Sequence, residues 1–277
     1  MNKTRYVSRI VERLSASRDA LRRQFFSGDK VSTFVLPDLL DEKSAQEVYS
    51  AFPPKEKMVR NRTLREHKYI GVQMNWYHPT VEEIIYAFQD PGVVGLISEI
   101  TGIRPLFPDE TLYAAGISLM AKDNFLNPHV DNSHDGGGKN YRALNLLYYV
   151  TPGWQESYGG NLELWDHGVR YPCRTIPAKF NSLVVMATHK ESWHSVSRVL
   201  HDGQRCCVSN YYFSSRPVDG LEGFHVTSFR GRPEESVKDW LLQADAAIRM
   251  GIRKILKRRL VADSHVYKKD PGRPDQS

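Results

Sequence analysis

From Leu112 onward the chain breaks into short runs of β-branched and aromatic residues separated by turn-forming clusters. The runs are LYAAGISLM, YRALNLLYYV, GNLELWD, CRTIPA, NSLVVMA, HSVSRVL and RCCVSNYYF. Regular short strands of this kind predict a sandwich or barrel. The preceding part carries helical periodicity instead. Residues 4–26 place Tyr6, Ile10, Leu14, Leu21 and Phe25 on one apolar face. A short strand and a turn at Pro37–Asp38 lead to a helix that Asp41 can cap, and helices near 80–89 and 91–101 are separated by Asp90–Pro91. Helices first and strands later make the fold α+β, with helices packed outside a β core.

Beyond Pro217 the strand pattern stops. Arg232–Pro233–Glu234–Glu235 predicts a helix start, with proline at the first position and acids at the positive end of the dipole. That helix reaches about residue 259, with Val237, Trp240, Leu241, Ala244, Ile248, Ile255 and Leu256 as its apolar stripe. The charge-rich stretch from Lys55 to Lys68 reads as a loop. The organisation expected is a basic N-terminal helix over 1–30, a main domain over 31–216, a C-terminal loop and basic helix over 217–262, and a disordered polar tail over 263–277.

The net charge of +6 is unevenly placed. Residues 1–30 carry eight Lys and Arg against three acids, and residues 247–277 carry nine against three. The middle, 31–246, is left with 21 cations and 26 acids, a net −5. The basic balance belongs to the ends, where solvated helix faces are its ordinary explanation, and nucleic acid is not expected as a partner. No run approaches the ~20 apolar residues of a membrane-spanning helix. The N-terminus lacks the apolar core of a secretory signal, so the cytoplasm is the expected compartment. Cys206 and Cys207 are neighbours on one strand and point to opposite faces, which predicts free thiols.

His129-Val130-Asp131 puts two ligand-type side chains on one face of a strand. With 10 histidines and 17 aspartates in 277 residues, chance alone supplies about 0.6 such pairs, so the pair by itself means little. His194, in WHSV at the start of a later strand, raises its weight. Two imidazoles and one carboxylate are the ligand set of non-haem Fe(II) oxygenases, whereas zinc favours closed tetrahedral sets and hard cations more oxygens. Arg205 begins RCCVSNYYF 11 residues after His194. A guanidinium buried there needs an anion, and a carboxylate is its best bidentate match.

The ordered set HVDN (129–132), YYV (148–150), GGNLELW (159–165), WHSV (193–196) and RCCVSNYYF (205–213) resembles the 2-oxoglutarate/Fe(II) oxygenases of the prolyl 4-hydroxylase type. The resemblance spans roughly residues 32–213. It implies a double-stranded β-helix, or jelly roll, with flanking N-terminal helices and a C-terminal helix. His129, Asp131 and His194 would be its iron ligands and Arg205 its anchor for 2-oxoglutarate. The face carrying Asn145, Leu147 and Tyr149 would line the cosubstrate pocket, with Tyr149 donating to the carboxylate. Gly159–Gly160 would form a crowded turn before the next strand. Fe(II), 2-oxoglutarate and O₂ are the implied cofactors, with ascorbate as a candidate reductant. The implied reaction is hydroxylation with release of succinate and CO₂, since Asp131 holds the place that a small residue takes in related halogenases. The substrate stays open: a prolyl residue, a free amino acid, a glycan or a natural-product intermediate. Oligomeric state is open too.

Arg198 competes with Arg205 for the carboxylate, because an Asp202–Gly203 turn lengthens the spacing, and His189 competes with His194. His134 belongs to a loop at the entrance, Trp165 can reach the pocket, and Arg142 reads as a solvent-facing strand residue. Two rival functions stand beside the oxygenase: a catalytically silent sensor of iron or 2-oxoglutarate, and a cupin-like metalloenzyme that does not use 2-oxoglutarate.

Overall fold

The computed structural model of the protein describes residues 2–113, 115–256 and 267. Helix α1 (Asn2–Phe25) leads into strand β1 (Thr33–Leu36) and helix α2 (Glu42–Ser50). Asp41 caps α2 by accepting from the Ser44 amide at 2.9 Å. Strands β2 (Val59–Arg62) and β3 (Glu66–Gly71) follow, then helices α3 (Pro79–Phe88) and α4 (Pro91–Thr101). Both helices begin with proline, whose missing amide costs nothing at that position, and Asp90 caps the second. The remaining strands are β4 (Phe107–Pro108), β5 (Gly116–Ala121), β6 (Phe125–Val130), β7 (Tyr141–Tyr149), β8 (Leu162–Leu164), β9 (Arg174–Ile176), β10 (Ser182–Ala187), β11 (His194–Val196), β12 (Gln204–Ser214) and β13 (Ser228–Phe229). Helix α5 (Ser236–Leu256) comes last.

The strands form one curled antiparallel sheet in the order β1-β10-β7-β12-β5-β3-β6-β11-β8-β9. The sheet folds over at β3, whose first residues pair with β6 and whose last pair with β5, while β2 takes its other edge. Its larger half, β10-β7-β12-β5, therefore lies opposite the smaller half, β6-β11-β8, across a cavity lined from both. This is the double-stranded β-helix that the resemblance implied.

Strand β7 shows how alternation sorts its residues. Leu144, Leu146 and Tyr148 join the core beneath the helices, together with Tyr6, Ile10, Leu14, Ile84 and Ile97. Asn145, Leu147 and Tyr149 face the cavity instead. The whole predicted face of α1 is buried, from Tyr6 to Phe25. A second core between the two halves of the sheet contains Met120, Leu162, Leu164, Val184, Met186 and Cys207. The three cysteines are free, and burial pushes the Cys206 thiol up to about 12.

Four expectations need correction. Residues 55–68 hold a hairpin, β2–β3, instead of a loop. Their charges suit an edge strand, where ionic side chains discourage pairing with other molecules. The strands do not end at Pro217, because β13 adds Ser228 and Phe229 to the edge of β6. Helix α5 starts at Ser236, not at Pro233. Arg232 is drawn instead onto Glu163, and its carbonyl closes a turn with the Glu235 amide at 2.9 Å. The stripe of α5 is not its docking side: Val237, Trp240, Leu241 and Ile248 are exposed, and Leu242 is buried. The polar side is tethered, by Asp239 on Arg230, Lys238 over the Phe125 ring and Asp245 on Arg65. The last turns of the predicted helix and most of the predicted tail lie outside the described residues. Within that tail Tyr267 is buried, its amide donating to the Thr111 carbonyl and its hydroxyl to Glu82. No helix among the described residues is long and apolar enough to cross a membrane.

Candidate metal centre and cosubstrate cavity

Strands β6 and β11 pair antiparallel with His129 directly opposite His194. Directly opposed residues on one sheet face bring their side chains together, and the two imidazole centroids are 4.1 Å apart. Each ring is oriented by its own chain. The Nδ1 of His129 lies 3.0 Å from the Asn127 carbonyl, and that of His194 lies 2.9 Å from the Ser192 carbonyl. A carbonyl only accepts, so Nδ1 carries a proton on both rings and Nε2 is the nitrogen turned toward Asp131. Each Nε2 sits 3.6 Å from a carboxylate oxygen of Asp131. The three ligand atoms lie within 4.8 Å of one another, as donors around a common metal ion would.

Electrostatics favours the ligating protonation states. Burial, reinforced by His194, pushes His129 down to about 3, which leaves it neutral and able to donate its lone pair at neutral pH. For Asp131, burial works toward protonation, but Arg142 and the two imidazoles outweigh it and hold the carboxyl below the ordinary carboxylate range. Arg142 thus differs from its sequence reading: it is buried, not solvent-facing, with Nη1 3.3 Å from Asp131 Oδ2 and Nη2 on Asn132 Oδ1 at 3.0 Å. Its guanidinium also covers the Tyr211 ring at 4.4 Å. Asn145 donates from Nδ2 to Asp131 Oδ2 at 2.7 Å. It therefore supports the carboxylate, a contact that parity alone could not reveal.

The cavity beside this cluster measures about 420 Å³. Asn145, Leu147 and Tyr149 of β7 and Arg205, Cys207, Ser209 and Tyr211 of β12 line its inner wall. Cys207 pairs with Tyr149 in the sheet, and Arg205 lies over the Tyr149 ring at 5.3 Å. The Tyr149 hydroxyl, Arg205 Nε and Asn145 Oδ1 are buried with no hydrogen-bond partner. Leaving such groups unpaired is costly unless a ligand completes them. A dicarboxylate fits: an acid group reaches Arg205 and the Tyr149 hydroxyl at one end while the metal cluster holds the other. Glycine is needed behind Arg205. At Gly160 (φ +69°) a Cβ would come within 3.2 Å of Arg205 Cδ, and at Gly159 it would sit 2.0 Å from the Arg198 carbonyl oxygen.

The sequence rivals lie elsewhere. Arg198 is exposed and donates to the Asp123 carbonyl at 3.1 Å. His189 points to the Lys30 carbonyl, and His134 packs on Tyr141. Trp165 binds Ser195 Oγ on the far side of β11 and does not line the cavity. Phe229, stacked on His129 at 5.1 Å and 16°, went unnoticed in the sequence because it arrives on a two-residue strand with no periodicity to display.

Comparison with known proteins agrees with this geometry. The sequence profile described as the 2OG-Fe(II) oxygenase superfamily matches residues 115–213. Prolyl 3-hydroxylase OGFOD1 from Xenopus laevis is 35% identical over 89 residues, which are 29% of this chain and 17% of that relative. The match therefore spans under one fifth of the relative's length. In fold, the chain is similar to a Pseudomonas putida prolyl-4-hydroxylase (TM-score 0.52, 16% identity), over 73% of this chain and 98% of that one. It is likewise similar to a Phytophthora capsici prolyl 4-hydroxylase (TM-score 0.51, 14% identity), over 91% of this chain and 78% of that one. The segment that matches the 2OG-Fe(II) oxygenase superfamily is thus folded as a double-stranded β-helix around a His-Asp-His cluster.

Proposed function

We propose that the protein is an Fe(II)- and 2-oxoglutarate-dependent dioxygenase that hydroxylates a prolyl or comparable residue of a polypeptide. One observation carries the reading. Two histidines and a carboxylate converge at one end of a cavity whose other end holds an arginine Nε and a tyrosine hydroxyl without hydrogen-bond partners. His129, Asp131 and His194 are the assigned metal ligands, a face that leaves other positions open for cosubstrate. Iron held there would, with 2-oxoglutarate and O₂, supply the oxidation that turns a C–H bond into C–OH and releases succinate and CO₂.

The chain's own residues position and protect. Arg205 and the Tyr149 hydroxyl take the distal carboxylate, Leu147 packs along its chain, and Arg142 with Asn145 keeps Asp131 ionised and correctly rotated. Phe229 shields the open face of His129 from water. A polypeptide is preferred as substrate because the matched relative is named as a prolyl 3-hydroxylase.

Anaerobic addition of Fe(II) and 2-oxoglutarate is expected to give a visible metal-to-ligand absorption band. Iron binding without that band would select the cupin-like alternative. Succinate formation under O₂, followed by mass spectrometry across candidate peptides and amino acids, separates an enzyme from a silent sensor.

A further inference from the structure

Helix α5 presents its apolar side to solvent. Val237, Trp240, Leu241 and Ile248 are 75%, 69%, 44% and 61% exposed, and at 3.6 residues per turn they fall on one stripe. Single exposed apolar residues are ordinary, whereas a contiguous stripe that includes a tryptophan marks a surface that something covers. The helix cannot roll this stripe inward, because its opposite side is fixed to the body. Asp239 pairs with Arg230 at 2.6 Å and Asp245 with Arg65, Lys238 lies over the Phe125 ring at 4.7 Å, and Leu242 is buried.

Charge decides among the possible occupants. Asp239 and Asp245 are the two acids of α5, and both are paired with arginines of the body. Arg249, Arg253 and Lys254 follow in the last turns of the same helix. Residues 247–277 carry nine cations against three acids, while the middle segment 31–246 is net −5. Positive charge thus accumulates along the segment that bears the stripe. Two copies joined through the stripe would bring two such positive segments into one interface, which like charges disfavour. A nucleic acid would answer the charge but leave the stripe uncovered. An anionic lipid surface answers both: it attracts the cations, takes a tryptophan at headgroup level and repels the acidic middle of the chain.

We propose that α5 is a membrane-surface anchor, lying in the headgroup region of an anionic bilayer with Val237, Trp240, Leu241 and Ile248 inserted. The cations from Arg249 onward supply the attraction to lipid phosphates and carboxylates. No helix among the described residues is long and apolar enough to cross a membrane, so the anchor lies on the bilayer and not through it. None of the four inserted residues lines the metal-site cavity, and the proposal stands apart from the oxygenase reading.

Co-sedimentation of the full chain with lipid vesicles tests it. Vesicles of phosphatidylcholine containing phosphatidylserine are expected to bind the protein, phosphatidylcholine alone far less, and added salt should weaken the binding. The double variant W240S/I248S keeps every charge and should bind the anionic vesicles about tenfold more weakly or worse, because two inserted apolar groups are lost. Both side chains are exposed, so the unfolding midpoint of that variant should not move. Lipid brominated on its acyl chains should quench the tryptophan emission of the unaltered protein more than that of the variant. Unchanged binding by W240S/I248S would reduce the attraction to charge alone and overturn the proposal. So would absence of binding to the anionic vesicles, or a dimer in sedimentation equilibrium that W240S/I248S abolishes while vesicles bind neither protein.

Discussion

The two faces of strand β11 treat buried polar groups in opposite ways. Behind the strand, Ser195 Oγ donates to Glu163 at 2.6 Å and accepts from Trp165 Nε1 at 2.8 Å, and Arg232 closes on Glu163 at 2.7 Å. Arg232 also reaches the Val196 carbonyl at 3.2 Å. In front, across the cavity from His194, the Tyr149 hydroxyl, Arg205 Nε and Asn145 Oδ1 have no partner. A completed network rigidifies what it touches, and an incomplete one is tolerable only where a ligand finishes it. The rear cluster thus fixes the strand that carries His194, and the front cluster is the proposed receptor.

The contrast can be broken experimentally. His129→Ala or Asp131→Ala should have the largest effect, abolishing iron-dependent succinate release; normal turnover by either variant would refute the ligand assignment. Glu163→Ala should leave the half-buried Arg232 and the buried Ser195 hydroxyl without their carboxylate partner and cost ~1–3 kcal/mol in denaturant unfolding. Arg205→Ala is the matched control in front. It should weaken 2-oxoglutarate binding by about thirtyfold or more, the loss of one partner in a charged pair, while hardly changing the ligand-free protein's stability. Equal destabilisation by the Glu163 and Arg205 variants would erase the distinction between the faces.

Asn145→Ala should lower metal affinity or activity by ~10–100-fold, as removal of a group that orients a ligand does, with the folding midpoint little changed. The smallest effect concerns His225, which lines the neighbouring cavity wall. Burial and the nearby His134 hold it below the ordinary imidazole value of about 6.5. The unfolded chain then takes up a proton before the folded one as pH falls through 6.5, so stability declines from that point downward. His225→Asn should flatten this slope in unfolding measurements across that range; an unchanged slope would remove His225 as its source.

Much of this was legible in residues that obey a local rule. Tyr6, Ile10 and Leu14 repeat at helical spacing, Asp41 and Asp90 cap, and Asn145, Leu147 and Tyr149 alternate, so their faces follow from backbone geometry. Other residues obey no local rule. Arg142 looks like a surface charge until Asp131, eleven residues earlier in sequence, proves to be its partner. The 55–68 run lacks apolar alternation because β2 sits at an edge, where one face and one side are wet. The stripe on α5 misled because Arg230, Phe125 and Arg65 tether the polar side of the helix.

The sequence by itself determined the chemistry: which groups could ligate, their order, and the strand that each occupies, because ligand type and alternation are local properties. Only the tertiary structure decided that His129 and His194 stand opposite each other, that Arg142 and Asn145 hold Asp131, and that Phe229 and the β2–β3 hairpin frame the cavity. Those depend on register and on contacts between distant segments, which are set when the sheet curls over at β3 and buries both halves against each other.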